Sequence, residues 1–353
     1  MKISVRQICF ILIAYTAATR LLLYPSELVN ISGRNYIFSA LIDFIIQGVV
    51  IWAVAYLCSR TDKSFYTLLA DTFGDIFARV VYGLFALYFM LVTLVPVFEQ
   101  KLYVHAIFYD TVPSLLVFLP FFFFAVYAGS KGFTNIGRSA DLCMPIFLGC
   151  IAFIFAMSIG EAKFSNLLPL LQIPAKEILG GSIATAFRFV EPCWLLMFAG
   201  SFKYKKGDAA KITLSYAGGA LIVLLFLAVF YGVYGDITAS RSFAISKTSL
   251  FFPALDTLGR IDLIVLYILE IVMLFALVLN IQLAVHCFSQ CTGYKDKFVI
   301  SMIVNAVFAV LLVVFNHNYH AISLVYSGWL WIATVIFTIL IPLLSWALKR
   351  REK

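Results

Sequence analysis

The stretch Ser182-Ile-Ala-Thr-Ala-Phe-Arg-Phe-Val-Glu-Pro-Cys-Trp-Leu-Leu-Met-Phe-Ala-Gly200 is long and apolar enough to cross a bilayer. Arg188 and Glu191 nevertheless stand near its middle, with Pro192 directly behind them. A charge at bilayer depth costs about 2.5–3.5 kcal/mol or more on insertion scales, so such residues need a partner or a watered cavity. Pro192 has no N–H for the carbonyl of Arg188, and it biases Glu191 away from helical angles. The helix is therefore expected to break over residues 188–191. Unwound backbone is tolerated at that depth only where protein buries it or where it lines a cavity. The simpler alternative is an Arg188–Glu191 pair satisfying itself at i,i+3 beside a proline kink.

The rest of the chain has the same character. It is 353 residues long, 63% hydrophobic and only 12% charged, which excludes a soluble globule and indicates a polytopic, all-α membrane protein. Ten apolar runs of spanning length are expected at 7–29, 38–58, 78–100, 112–128, 139–160, 178–200, 211–234, 261–288, 297–315 and 322–347. With the N-terminus inside, 17 of the 26 basic residues fall in cytoplasmic segments, seven in outer loops, and two, Arg20 and Arg188, within spans. This bias expects both termini in the cytoplasm. It also explains the net charge of +8 without nucleic acid. Lys2 and Arg6 before an apolar run imitate a signal peptide, but the run continues to about Val29 and is read as the first span. The seven cysteines (9, 58, 143, 150, 193, 287 and 291) lack paired spacing and read as small core residues.

Span 1 holds a second anomaly, Tyr15-Thr-Ala-Ala-Thr-Arg20 followed by Leu-Leu-Leu-Tyr-Pro25. Small residues and hydroxyls let helices approach and satisfy freed backbone groups. Arg20 lies deep in the span, with snorkelling to the outer surface as the alternative. Non-helical backbone is expected around residues 16–20 and 187–191. Asp43 and Gln47, at i,i+4 in span 2, predict a polar contact between helices. Residues 59–77 suggest a short amphipathic surface helix, and 235–260 a short helix or lid. Glu99, Lys101 and His105 are placed at the outer interface. Glu270 in span 8 is another deep carboxylate, and Arg20, Arg188, Glu191 and Glu270 balance to zero if they share one cavity. His317 and His320 bracket an outer loop and have no third metal ligand nearby. No metal or cofactor is expected.

Spans 1 and 6 open two groups of five, 1–160 and 178–347. Because five is odd, the second group enters from the opposite side, giving a five-plus-five inverted repeat with broken helices 1 and 6. Interrupted helices at matching places point to a midplane site. Freed N–H groups there suit an anion and unwound carbonyls a cation, so an amino acid zwitterion satisfies both. The candidate ligand-binding residues are Thr16, Ala17, Ala18, Thr19, Arg20, Phe187, Arg188, Glu191 and Glu270.

Several motifs occur in a telling order: Ile3-Ser-Val-Arg-Gln7, Leu21-Leu-Leu-Tyr-Pro25, Tyr127-Ala-Gly-Ser-Lys-Gly132, Arg138-Ser-Ala-Asp-Leu142 and Phe164-Ser-Asn-Leu-Leu-Pro169. On these the chain resembles the B subunits of nutrient germinant receptors in endospore-forming bacteria, a branch of the amino acid–polyamine–organocation transporter superfamily. The resemblance covers essentially the whole length. It implies a ligand site between spans 1, 3, 6 and 8, partner A and C subunits, and residence in the spore inner membrane. Where the family commonly has Gly-x-Gly before the span 1 proline, this chain has Ala18-Thr19-Arg20. Where it often has Phe-Gly-Glu in span 6, this chain has Phe189-Val190-Glu191. A guanidinium can replace the lost backbone approach by gripping a ligand carboxylate, or it can plug the pocket.

Three function classes follow. The first is a receptor subunit that senses a small nutrient, chiefly an amino acid, to trigger spore germination. The second is a proton- or sodium-coupled amino acid transporter. The third, a membrane-embedded enzyme using Glu191 and Glu270, lacks a nucleophile–base or metal constellation. The expectation is that the chain is not an enzyme.

Overall fold

The computed structural model describes residues 3–59, 62–109, 111–168, 174–250, 262–316 and 326–345. Their helices group into ten spans. Span 1 is split into α1 (Val5–Ala18) and α2 (Tyr24–Ser32), and span 2 is α3 (Tyr36–Ser59). The surface helix α4 (Phe65–Phe73) lies where an amphipathic segment is expected, followed by α5 (Asp75–Phe108), α6 (Ser114–Gly129) and α7 (Phe133–Ser158) as spans 3 to 5. Span 6 is split into α8 (Ala175–Thr185) and α9 (Glu191–Met197), and α10 (Asp208–Tyr234) is span 7. The outer segment carries α11 (Ala244–Ser249). Spans 8 to 10 are α12 (Asp262–Thr292), α13 (Lys297–Val314) and α14 (Trp331–Ser345). The expected features at His317, His320, residues 251–260 and the C-terminal lysines lie outside the described residues.

Local chemistry sets the start of α1. Ser4 and Gln7 form a reciprocal capping box, Oγ of Ser4 accepting from the Gln7 N–H and Oε1 of Gln7 accepting from the Ser4 N–H, which satisfies two orphan helix donors. The Gln7 amide then donates to Asp141 Oδ2 at 2.7 Å, and Arg6 pairs with Asp141 at 3.1 Å. Two sequence motifs far apart in the chain thus meet at one end of the bundle.

Span 1 stays helical through Ala18, so its break falls at residues 19–23, a little later than expected. The Thr19 and Arg20 N–H groups still find Tyr15 O and Ala17 O. The freed carbonyls of Leu21 and Leu22 accept from the N–H groups of Ile245 and Ala244, at 3.1 and 2.9 Å. The first turn of α11 therefore satisfies two of the carbonyls that the break frees, as buried carbonyls require.

In span 6, α8 tightens into a 3-10 turn at Ala186–Arg188, and α9 restarts at Glu191 with Pro192 in its first turn. A proline is tolerated there because that position's N–H has no helical partner anyway. Asp43 and Gln47 meet neighbouring spans, as their spacing implies. Ser182 donates to Asp43, and the Gln47 amide donates to Thr338 in span 10.

The core packs α12 along α5, and α10 against α1 and α3. At the α1–α10 crossing a Cβ on Gly219 would stand 3.0 Å from Thr16 Cβ and 3.2 Å from the Ile13 carbonyl oxygen. A Cβ there would be tighter than ordinary contact and would force Thr16 or the α1 backbone to shift, so glycine favours that approach, a small-residue contact of the kind that packs membrane helices. Gly219→Ala is expected to cost about 1–3 kcal/mol by overpacking and to lower the thermal midpoint of the detergent-purified protein. An unchanged midpoint would mean the two helices are free to separate.

Candidate functional site

The two breaks face each other, and Arg20 fills the gap between them. Its guanidinium grips Glu191 with two bonds, Nη1 to Oε1 at 2.7 Å and Nη2 to Oε2 at 3.1 Å. The same nitrogens donate to Thr16 O at 2.8 Å and to Arg188 O at 2.9 Å, a carbonyl on each side of the gap. The Thr16 hydroxyl adds a bond to Glu191 Oε1 at 3.0 Å. Both side chains of the pair are wholly buried. The planar group lies over the Phe189 ring at 4.0 Å, a cation–π contact strengthened by desolvation. Arg20 does not snorkel.

Arg188 heads a second tier. Nη2 contacts Glu99 Oε1 at 2.5 Å and Glu27 Oε2 at 2.6 Å, and Nη1 donates to Glu99 Oε2 at 3.2 Å. The i,i+3 pairing of Arg188 with Glu191 is not formed, because each partner is claimed from another span. Glu99 is buried on span 3, not set at the outer interface, and Lys101 is buried with it. Glu27 lies in α2, beyond the break, and keeps 32% of its side chain exposed. That makes it the member of this tier open to the outside of the fold.

Two further groups flank these tiers. Tyr15 and Asn280 are hydrogen-bonded side chain to side chain at 2.9–3.1 Å, and Trp194 meets Tyr15 edge to face at 6.1 Å. Glu270 is buried on span 8 but has no arginine within ion-pair distance among the described residues. The Gln100 amide, turned with its nitrogen toward the carboxylate, donates to both oxygens at 2.8 and 2.9 Å. The four charges Arg20, Arg188, Glu191 and Glu270 thus do not form one cluster. Glu99 and Glu27 take the place that balance assigns to Glu270.

The remaining candidates are distributed around the breaks. Ala17 and Ala18 are buried in the last turn of α1. Thr19 turns its hydroxyl back to Tyr15 O at 2.8 Å. Phe187 is buried, with the Arg188 guanidinium 5.1 Å from its ring centre and Tyr326 edge-on at 5.9 Å. Sequence reasoning missed Glu27, Gln100 and the depth of Glu99. The signal available was that α5 is far longer than a bilayer crossing, so a residue 25 positions into it can still lie inside the protein. Among the described residues no group of three or more His, Cys, Asp or Glu could hold a metal ion.

The comparisons agree with this architecture. The crystal structure of MhsT in complex with L-phenylalanine superposes with a TM-score of 0.65 at 11% identity, covering 96% of this chain and 89% of that one. A mutant of the manganese transporter of Eremococcus coleocola superposes with a TM-score of 0.57 at 10% identity, covering 94% and 75%. At these identities the likeness establishes the fold, an inverted-repeat transporter fold with broken helices 1 and 6. No curated protein sequence matches the chain. Residues 2–320 match the family described as spore germination protein, nearly the whole length, and this integral, multi-pass membrane protein belongs to that family.

Proposed function

We propose that the chain is the ligand-sensing membrane subunit of a spore germinant receptor, that its ligand is an amino acid, and that it performs no catalysis. The observation that carries this reading is the charge of the cluster between the breaks. Two guanidiniums, Arg20 and Arg188, face three carboxylates, Glu191, Glu99 and Glu27. The formal balance is one negative charge in excess, beside the partly exposed Glu27. An incoming ammonium fits that excess, and its carboxylate can replace Glu27 on Arg188 in a paired geometry. Both Arg20 Nη atoms are already engaged by Glu191 and two carbonyls, so in this reading it plugs the gap and Arg188 receives the ligand. The L-phenylalanine bound in MhsT is consistent with the ligand class. The A and C subunits, the spore inner membrane and cytoplasmic termini complete the reading.

Secondary transport of an amino acid is the second reading, favoured by the likeness to MhsT. Reconstitution in liposomes separates the two. A receptor subunit binds labelled amino acid and accumulates none under a proton or sodium gradient. Gradient-driven accumulation establishes the transporter instead.

The orientation has its own test. In intact cells, cysteines placed at Lys131 and Lys205 are expected to resist a membrane-impermeant thiol reagent, and those at Lys163 and Arg241 to react, following the basic bias of the loops. Labelling of Lys205 and Arg241 positions from the same side contradicts the ten-span topology.

A further inference from the structure

A groove of about 410 Å³ runs between α6, α7 and α12, away from the paired charges of the broken helices. Its walls include Phe124, Leu142, Ile271 and Phe275, and the first three are strongly exposed on the face the fold presents to lipid. At the end of the bundle that carries the N-terminus the walls become polar, with Lys131, Asn135, Ser139 and Gln282. Lys131 and Gln282 also line a small adjoining recess, together with Gly129, Gly132, His286 and Lys297. Gln282 ties the two together, its amide donating to the Lys131 carbonyl.

Lys131 lies 4.2 Å from the Tyr127 ring centre, and neither it nor Lys297 makes an ion pair with a carboxylate among the described residues. The nearest acid in sequence, Asp296, is engaged in capping α13 through the Phe298 and Val299 N–H groups. Asp141 is held by Arg6 and Gln7. One half-buried lysine, Lys131, therefore stands at the polar end of an apolar groove that opens to the bilayer, and a second, Lys297, in the recess adjoining it.

The geometry points to a binding site for one anionic phospholipid, with an acyl chain along Phe124, Leu142 and Ile271 and the phosphate between Lys131 and Lys297. Asn135 and Ser139 supply donors for the ester and glycerol oxygens. A soluble phosphate compound satisfies the lysines but leaves the apolar wall unused, and a zwitterionic lipid brings its own cation against them. Each lysine near an anionic lipid surface contributes about fivefold in affinity, so the pair gives an expected preference on the order of 30-fold.

Native mass spectrometry of the detergent-purified full chain tests this with phosphatidylglycerol, phosphatidylcholine and glycerol phosphate as probes. One phosphatidylglycerol is expected to be retained in preference to phosphatidylcholine. Lys131→Gln with Lys297→Gln is expected to lose the preference, and Lys131→Arg with Lys297→Arg to keep it. Lys163→Gln, which removes an exposed lysine elsewhere, controls for net charge, and equal melting temperatures confirm folding. Should the double Gln variant misfold, the wild-type comparison of the three probes and the Arg variant still decide. Equal retention of both lipids overturns the proposal. So does preference surviving in a folded double Gln variant, or glycerol phosphate competing as well as the lipid.

Discussion

Glu191→Ala is expected to destabilise the folded protein by about 3–5 kcal/mol, the usual cost of removing one partner from a buried ion pair. The wholly buried Arg20 guanidinium would keep its bonds to Thr16 O and Arg188 O but lose both bonds to carboxylate. Arg20→Gly should cost a comparable amount for the opposite reason, leaving Glu191 with only the Thr16 hydroxyl. Neutralising both partners at once, as in Arg20→Met with Glu191→Gln, removes the uncompensated charge and should recover much of the loss. Glu191→Gln alone retains shape and hydrogen bonding and should lie between. Thermal midpoints of these purified variants, and of Arg20→Met alone, check the ordering. A double variant as unstable as the sum of the single changes would show the pair to be two independent contacts.

Arg188→Gln is expected to abolish nutrient response. It removes the one guanidinium in the cluster whose carboxylate partners include a partly exposed side chain. It also strands Glu99 in the interior, so part of its effect is structural. Glu27→Gln separates the two contributions, because Glu27 is about one-third exposed and its loss leaves Arg188 still paired to Glu99. If the ligand ammonium sits beside Glu27, this change should leave the folding stability within about 1 kcal/mol of wild type, as for weakly buried pairs, and raise the nutrient concentration needed for germination at least tenfold. Spores of the Glu27→Gln strain with wild-type sensitivity, at normal protein abundance, would remove Glu27 from the site.

Much of the architecture could be read from local chemistry. Pro192 next to a charged pair marks the span 6 break, because both the missing N–H and the buried charge act within a few residues. The span count follows from apolar run length, and the inverted repeat from its parity. The partners of the buried charges could not be read that way. Arg20 meets Glu191 across 171 positions and Arg188 meets Glu99 across 89, separations that no helical periodicity encodes. The i,i+3 spacing leaves Glu191 as an alternative partner for Arg188, yet the unwound turn at Phe189 and Val190 lets the two side chains serve different spans. An apolar run that ends near Gln100 puts Glu99 at the interface, whereas α5 continues to Phe108. The span 1 break begins later than its small residues suggest because α11, far along the chain, supplies the N–H groups that let Leu21 and Leu22 unwind.

In the proposed reading an amino acid binds at Arg188 and Glu27, between the two broken helices. Its most direct test is the thermal stability of the purified protein across a panel of amino acids, wild type against Glu27→Gln and Arg188→Gln. At about 100 times its dissociation constant, a ligand of the folded state adds about 2.7 kcal/mol. Wild type is expected to show such a rise for at least one amino acid, Glu27→Gln a smaller one and folded Arg188→Gln none. No rise for any amino acid, or an undiminished rise in both variants, would contradict it.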